Sequence, residues 1–455
     1  MLSAPDVAPA DALDRYFAAL RAREFARLDA LGLAYLDYAA SALPGASQLR
    51  AHHALLAGTV LGNPHSESAP SRATGELIDH ARRLVLDLFD VDASTHDVCF
   101  TASTSAAIKL VAESYPFGAR AGLVLAADNH NSMNGVREYA RRAGGRVRVL
   151  PLDHELRLRD AEAGLADEAT RGGGLFALPA QSNFSGVMHP LSLVTRARAL
   201  GFQVLLDVAA YAPGHPLSLR ACPADFAVLS FYKLFGYPTG VGALVARRDA
   251  LALLRRPWFA GGTVKYVSVA ANLHRLHTGH DGFEDGTPDF HGLAALAPGF
   301  ALIEEVGLSR LGARVARLTG HLVDRLAALR HARGGRLVRL YGPAGMIERG
   351  GTVSFNVCDA SGRPVPYTAV EERARAAGVA LRGGCFCNPG AAEAAFDMDV
   401  AHLAACLEAC GDDFSPGRLA TCLGRAVGAV RVSPGLASNL ADVERAVAVV
   451  ASFAD

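Results

Sequence analysis

Along most of the chain, short apolar runs alternate with longer segments in which apolar side chains recur every three or four residues. Seven such runs stand out: DVCFTAS (97–103), AGLVLAAD (121–128), RVRVLPL (146–152), GLFALPAQSN (174–183), FQVLLDVAAY (202–211), ADFAVLSFYK (224–233) and VGALVARRD (241–249). Each is strand-sized, and most are separated from the next by enough chain for one helix. That pattern predicts an α/β fold with a mainly parallel sheet covered by helices. Near residue 300 the texture changes. A long amphipathic helix is expected over 308–329, then strands RLVRLYG (336–342) and GTVSFNVCD (351–359), a helix, a cysteine-containing loop, and the closing strand AVRVSP (429–434) before a last helix. The start, DALDRYFAALRAREFARL (11–28), reads as an amphipathic helix. We therefore expect an arm over 1–30, a segment 31–50 that joins the small domain, a large domain over 51–300 and a smaller α+β domain over 301–455.

Composition narrows the function. Of 455 residues, 51% are hydrophobic and 20% charged, and the charges cancel, so disorder is excluded and no whole-surface field attracts nucleic acid or anionic lipid. No apolar run reaches the roughly 20 residues of a bilayer helix, and the acidic, polar start is unlike a signal peptide. A cytoplasmic small-molecule enzyme is expected, with no nucleic-acid or membrane partner. Eight cysteines in so long a chain are not a disulfide scaffold of the small secreted kind, so they are read as thiols, ligands or nucleophiles.

Only three of the 45 basic residues are lysine: Lys109, Lys233 and Lys265. A lysine kept where arginine is the habit is a candidate for chemistry that a guanidinium cannot do, since only the amine deprotonates and forms a Schiff base. In open α/β sheets ligands sit beyond the carboxyl ends of the strands. The polar residues ending these runs form a consistent set there: Ser103 and Thr104; Asp128, Asn129 and His130; Gln181 and Asn183; Asp207; Ser230 and Lys233. Asp207 and Lys233 are one strand-helix-strand unit apart, so a carboxylate and an amine meet on neighbouring strands. Either residue alone suits an ion pair or a helix cap. Together with the hydroxyls of Thr101–Ser105 at a helix start, they suit pyridoxal 5'-phosphate, which needs an amine, a carboxylate for its ring nitrogen and a phosphate cradle. Lys109 and Lys265 have no such carboxylate.

The second constellation is Leu381-Arg-Gly-Gly-Cys-Phe-Cys-Asn-Pro-Gly390. Structural zinc prefers cysteine pairs two to four residues apart. Cys385 and Cys387 are closer than that, although Cys406, Cys410 and Cys422 could complete a set. No metal site is assigned. Cys99, Cys222 and Cys358 lie in apolar sequence and are expected to be buried and inert. A glycine-flanked thiol beside Arg382 is instead placed to enter a site as a thiolate.

Six words complete the picture: Tyr-Leu-Asp-Tyr-Ala-Ala (35–40), Gly-Asn-Pro-His-Ser (62–66), Gln-Ser-Asn-Phe-Ser-Gly (181–186), Ser-Phe-Tyr-Lys-Leu-Phe-Gly (230–236), Phe-Glu-Asp-Gly-Thr (283–287) and Cys-Phe-Cys-Asn (385–388). Through them, residues 35–453 resemble class V, fold-type I pyridoxal-phosphate enzymes of the cysteine desulfurase group, and within it the N-terminal desulfurase domain of molybdenum cofactor sulfurases. The resemblance implies Lys233 as the Schiff-base lysine, Asp207 as partner of the ring nitrogen, and Ser103, Thr104 and Ser230 as phosphate ligands. It implies that Thr287 reaches the phosphate of the other subunit of a homodimer. His130, or Asn129 one register earlier, would stack on the ring. Asn183 would neighbour the ring oxygen and the substrate carboxylate, Arg431 would clamp that carboxylate with Arg382 nearby, and Cys387 would accept sulfur. Two positions depart from ordinary cysteine desulfurases: Ala210 stands where they have glutamine, and Tyr232 where they have histidine.

The reaction this implies is L-cysteine to L-alanine with a persulfide on Cys387, which then swings out on its loop to a separate acceptor protein or a small thiol. The alternatives keep the cofactor: a C–S lyase, selenocysteine lyase or biosynthetic eliminase not requiring Cys387, or a non-catalytic pyridoxal-phosphate-binding partner protein.

Overall fold

The computed structural model describes residues 10–454; the first nine residues of the expected arm and Asp455 lie outside them. The large domain is built on seven strands: β1 (His96–Thr101), β2 (Gly122–Ala126), β3 (Val147–Leu150), β4 (Gly174–Pro179), β5 (Gln203–Asp207), β6 (Phe226–Ser230) and β7 (Gly242–Arg247). They stand in the order β1-β7-β6-β5-β4-β2-β3, parallel except for β7, which runs antiparallel to both neighbours. Every residue of β2, β4 and β6 is buried. A sheet covered on both faces is written as continuous apolar runs rather than alternating ones, and two hydrophobic clusters, one on each face, account for it.

The expected runs were a few residues too long, each at its carboxyl end. The run 224–233 shows why: the strand stops at Ser230 and a short helix, Phe231–Phe235, takes over. Its apolar side chains continue into the core, so hydrophobicity alone does not mark the change.

The smaller domain carries four antiparallel strands, β8 (Val338–Tyr341), β9 (Val353–Val357), β10 (Arg382–Gly384) and β11 (Ala429–Val432), in the order β8-β9-β11-β10. The long helix Leu308–Ala328 and the last helix, Leu440–Ala451, pack against this sheet through Leu318, Leu322, Val443 and Val447. Residues 34–35 pair in parallel with 379–380, and Asp37 bridges to Ser433. The arm forms helices Ala10–Glu24 and Ala26–Ala30; Phe17 and Leu20 of the first and Phe25 between the two are buried with Leu302, Val306 and Leu436. Arg21 anchors it by ion pairs to Asp29 and Asp442. Among the described residues no single helix is long and apolar enough to cross a membrane.

Candidate active site

A cleft opens at the carboxyl ends of β4, β5 and β6, bordered by Pro179, Asp207 and Ser230 from those ends. The segment after β1 forms its other wall. Ser103 caps the helix Thr104–Ser114 by accepting from Ala106 N–H at 3.2 Å. Thr104 N–H donates to Ser230 Oγ at 2.8 Å, and the two hydroxyl oxygens lie 2.6 Å apart. Gly242 of β7 lets the strand pass close by: a Cβ there would sit 2.6 Å from the Ser103 carbonyl carbon. The result is a helix start ringed by hydroxyls with β7 tight behind it, which is a cradle for a dianion.

Lys233 lies on the short helix after β6, one turn beyond Ser230, and makes no hydrogen bond among the described residues. Burial pushes its amine below the usual lysine range, with Asp207 opposing the shift by attraction and Arg431 reinforcing it by repulsion. Asp207 is buried and accepts from Ala209 N–H at 2.9 Å through one oxygen. His130 is pushed below the ordinary imidazole range by burial and by the Lys233 charge. Its Nδ1 takes the Ser132 N–H at 3.2 Å and must therefore be an acceptor, which leaves the proton of the neutral ring on Nε2. Ser132 and Ser105 hydroxyls hold each other at 2.5 Å along the same wall.

The small domain adjoins the cleft at Asn183. Arg431 of β11 is 2% exposed; it donates to the Asn183 carbonyl at 2.9 Å and to Asp37 at 3.1 Å, and its Nε is buried with no partner. Its guanidinium lies 4.7 Å from the Phe386 ring centre. Arg382 reaches the other oxygen of Asp37 at 2.9 Å, with its own side chain half exposed. The cysteine loop is tied down rather than loose. Asn183 Nδ2 donates to the Phe386 carbonyl at 2.7 Å, and Asn131 N–H donates to the Cys387 carbonyl at 2.7 Å. Asn388 Nδ2 bridges the Asp128 carbonyl at 2.7 Å and Asn183 Oδ1 at 2.9 Å. Phe386 and Cys387 both adopt left-handed backbone, φ 56° and 55°. Such conformations cost energy in a non-glycine residue and persist where the surroundings impose them. They drive Phe386 into the core and leave Cys387 exposed. The expected swinging loop is thus a pinned backbone with a free thiol.

The structure gathers Ser103, Thr104, His130, Asn183, Asp207, Ser230 and Lys233 around one cleft. It does not bring Asp128 or Asn129 there. Asp128 is buried against His189 at 2.8 Å, and Asn129 donates to the carbonyls of Ala126 and Ala177, so that of Asn129 and His130 it is His130 that lines the cleft. Thr287 lies outside this cleft and accepts from Asn63 Nδ2 at 3.2 Å. Cys99, Cys222 and Cys358 are buried thiols, as expected. Cys406 and Cys422, expected as thiols or ligands, form a disulfide. Their separation of 16 residues gave no hint of pairing, because it depends on how two short helices fold back. Asn388 and Asp37 were missed as site residues although both stood inside words singled out in the sequence. Only the folded positions show what they hold.

Asp37 is the counter-charge that makes a buried Arg431 tolerable. Asp37→Asn is expected to destabilise the fold by about 1.5–3 kcal/mol, the worth of a hydrogen bond to a charged group, read as a lowered denaturant midpoint. An unchanged midpoint would show that the Asn183 carbonyl and the Phe386 ring suffice to hold the Arg431 charge.

A lysine amine and a carboxylate lining one cleft, a hydroxyl-lined helix start and a large, mainly parallel sheet with an antiparallel small domain define a class of protein. The chain belongs to the aminotransferase class-V family, which matches residues 34–445. Within it, the chain is similar to the molybdenum cofactor sulfurase of Arabidopsis thaliana, 34% identical over 481 aligned residues that cover 96% of this chain and 58% of that protein. The Anopheles gambiae molybdenum cofactor sulfurase is 38% identical over 445 residues, covering 91% and 56%. The chain thus spans a little over half the length of these relatives. The apo cysteine desulfurase of Thermococcus onnurineus NA1 shares the fold, with a TM-score of 0.77 and 23% identity over 96% of this chain and 97% of that one. The fold is that of fold-type I enzymes and the cofactor is pyridoxal phosphate. The residues fit it: an amine without a hydrogen bond, a buried carboxylate and a phosphate cradle face one cleft.

Proposed function

We propose that the chain is a cysteine desulfurase: it converts L-cysteine to L-alanine, holds the sulfur as a persulfide on Cys387 and passes it to an acceptor, a protein or a small thiol. The observation that carries this reading is the setting of Cys387, an exposed thiol on a pinned turn within electrostatic reach of both Lys233 and Arg431. The thiolate is the form that attacks sulfur.

The bound pyridoxal ring supplies an electron sink for the carbon that loses its proton. Lys233, with its ammonium form disfavoured by burial, is the base for the Cα proton. Arg431 offers its unpartnered Nε to the amino-acid carboxylate, and His130 presents a neutral ring to the cofactor face. The Cys387 thiolate attacks the substrate sulfur: one S–S bond forms, the Cβ–S bond breaks with its electron pair going to carbon, and a proton completes the alanine methyl. Cysteine plus one enzyme thiol gives alanine plus one persulfide, so the step needs no outside oxidant. The same reading includes a homodimer in which Thr287 of each copy meets the phosphate held by the other.

The test is Cys387→Ser beside wild type, each loaded with cofactor and given sulfur-labelled cysteine without reductant. Wild type should release about one alanine per site in a burst and carry label on Cys387; Cys387→Ser should bind cysteine, keep its cofactor and carry none. Cys385→Ser should only weaken the burst, because burial and its neighbours Glu393 and Cys387 raise the Cys385 thiol above the usual range. If Cys387→Ser releases alanine as fast as wild type, a lyase that needs no enzyme thiol replaces this reading.

A further inference from the structure

Between the cysteine loop and β11 the chain makes a pair of helices, Val400–Cys410 and Pro416–Leu423, closed over Leu403, Cys406, Leu419 and Val427. The proposed reaction uses nothing in it. On this pair, His402 and Cys406 sit at i and i+4, on one face of the first helix, and Cys422 comes from the second. A ring nitrogen of His402 and the sulfurs of Cys406 and Cys422 all lie within 4.8 Å of one another. Cys406 and Cys422 are bonded to each other. The His402 ring is exposed, and it makes no hydrogen bond or ion pair among the described residues; only its backbone N–H is engaged, by Asp399. A disulfide has no use for an imidazole beside it, whereas two thiolates and an imidazole at this spacing are the donor set of a soft or borderline divalent cation.

We propose that His402, Cys406 and Cys422 form a zinc-class metal site that opens when the Cys406–Cys422 disulfide is reduced. Reduction takes two electrons and two protons from a thiol reductant, which closes its own disulfide while the Cys406–Cys422 bond breaks. The cation then displaces the two thiol protons and binds two thiolates and the neutral imidazole. Only Cys406 is buried; His402 and Cys422 are exposed, so the fourth position faces water. Helical i, i+4 spacing fixes two ligands on a rigid element, and only Cys422 must move when the sulfurs separate from bonding distance. Oxidised, the pair is tied by sulfur; reduced, it is tied by metal. Either way the segment that leads into β11, and so to Arg431, is held closed.

The experiment uses the full chain with its cofactor and with both Cys385 and Cys387 replaced by serine, so that the loop thiols bind nothing. After reduction by a phosphine and its removal without air, Co2+ is titrated while the thiolate-to-cobalt absorption is followed, and Zn2+ is then added to displace it. One Co2+ per chain is expected in the reduced protein and none before reduction. His402→Ala and Cys422→Ser should each weaken binding by more than about 100-fold, since even changes behind a ligand cost 10- to 100-fold. Both positions are exposed, and retained cofactor absorption reports that each variant is folded. A variant that loses the cofactor is replaced by His402→Gln or Cys422→Ala. Binding within a few-fold of the parent in either variant, or equal binding before reduction, would overturn the site.

Discussion

Lys233→Ala should lose the lysine–cofactor link that borohydride can trap and lose turnover with it, whereas Lys109→Ala and Lys265→Ala should keep both. Two contributions vanish together. The covalent anchor goes, and so does the base for the Cα proton, a role worth roughly 10²- to 10⁴-fold by itself. Neither other lysine can take over. Lys109 is committed to Glu113 at 2.6 Å on an exposed helix face, and Lys265 lies on the exposed hairpin Val264–Ser268 with Leu273–Leu276. Phosphate binding does not depend on the amine, so cofactor should still enter Lys233→Ala, held by Ser103, Thr104, Ser230 and Asp207. Absorption after dialysis separates the two effects: cofactor that is present but that borohydride does not fix covalently to the chain is the expected result. A borohydride-stable link in Lys233→Ala would move the anchor to another residue and undo the assignment.

The reason this much could be read from sequence is that the large domain is written redundantly. Seven strand-sized runs mark the sheet, and five of them, ending in polar residues, mark the edge where a ligand sits. Asp207 ends β5 and Lys233 follows the end of the adjacent strand β6 by three residues, so their nearness follows from the order of the strands. The small domain's contributions follow from nothing local. Arg431 sits in the middle of an apolar strand and looks like an error of patterning until Asp37, 394 residues earlier, is laid beside it. Asn388 looks like a helix cap, and is one, accepting from Ala391 N–H at 3.2 Å. The same side chain, through its Nδ2, also joins the cysteine loop to the carboxyl end of β2. Asp128 shows the opposite failure: a polar residue counted in the strand-end set is consumed by a buried pair with His189. Sequence position says which strand end a residue occupies, and only packing says whether its side chain faces the cleft or the core.

Arg431 is where the second large effect is expected, because its burial is costly and the site recovers little of that cost by itself. Desolvation pulls its guanidinium below the usual arginine range while Asp37 pulls it back, and one buried N–H is left without a partner. In the proposed reaction a substrate carboxylate would supply the missing acceptor, so in Arg431→Ala that carboxylate would enter a desolvated wall with no charge to meet. Losing one member of such a pair costs roughly 2–5 kcal/mol, which is about 30- to 5000-fold in the cysteine concentration needed for turnover. The fold should survive, since Asp37 keeps Arg382 at 2.9 Å and no carboxylate is orphaned. Arg431→Lys should recover only part of the loss: it restores a charge but not the fork that spans Asp37, the Asn183 carbonyl and the ligand. The measurement is apparent affinity for L-cysteine, set beside that for cysteamine, which has the same amine and thiol but no carboxylate. Arg431→Ala should penalise cysteine and spare cysteamine. An equal penalty on both would mean that Arg431 acts by holding Phe386 and the loop in place, and an unchanged affinity for cysteine would put the carboxylate clamp elsewhere, with half-exposed Arg382 the next side chain to replace.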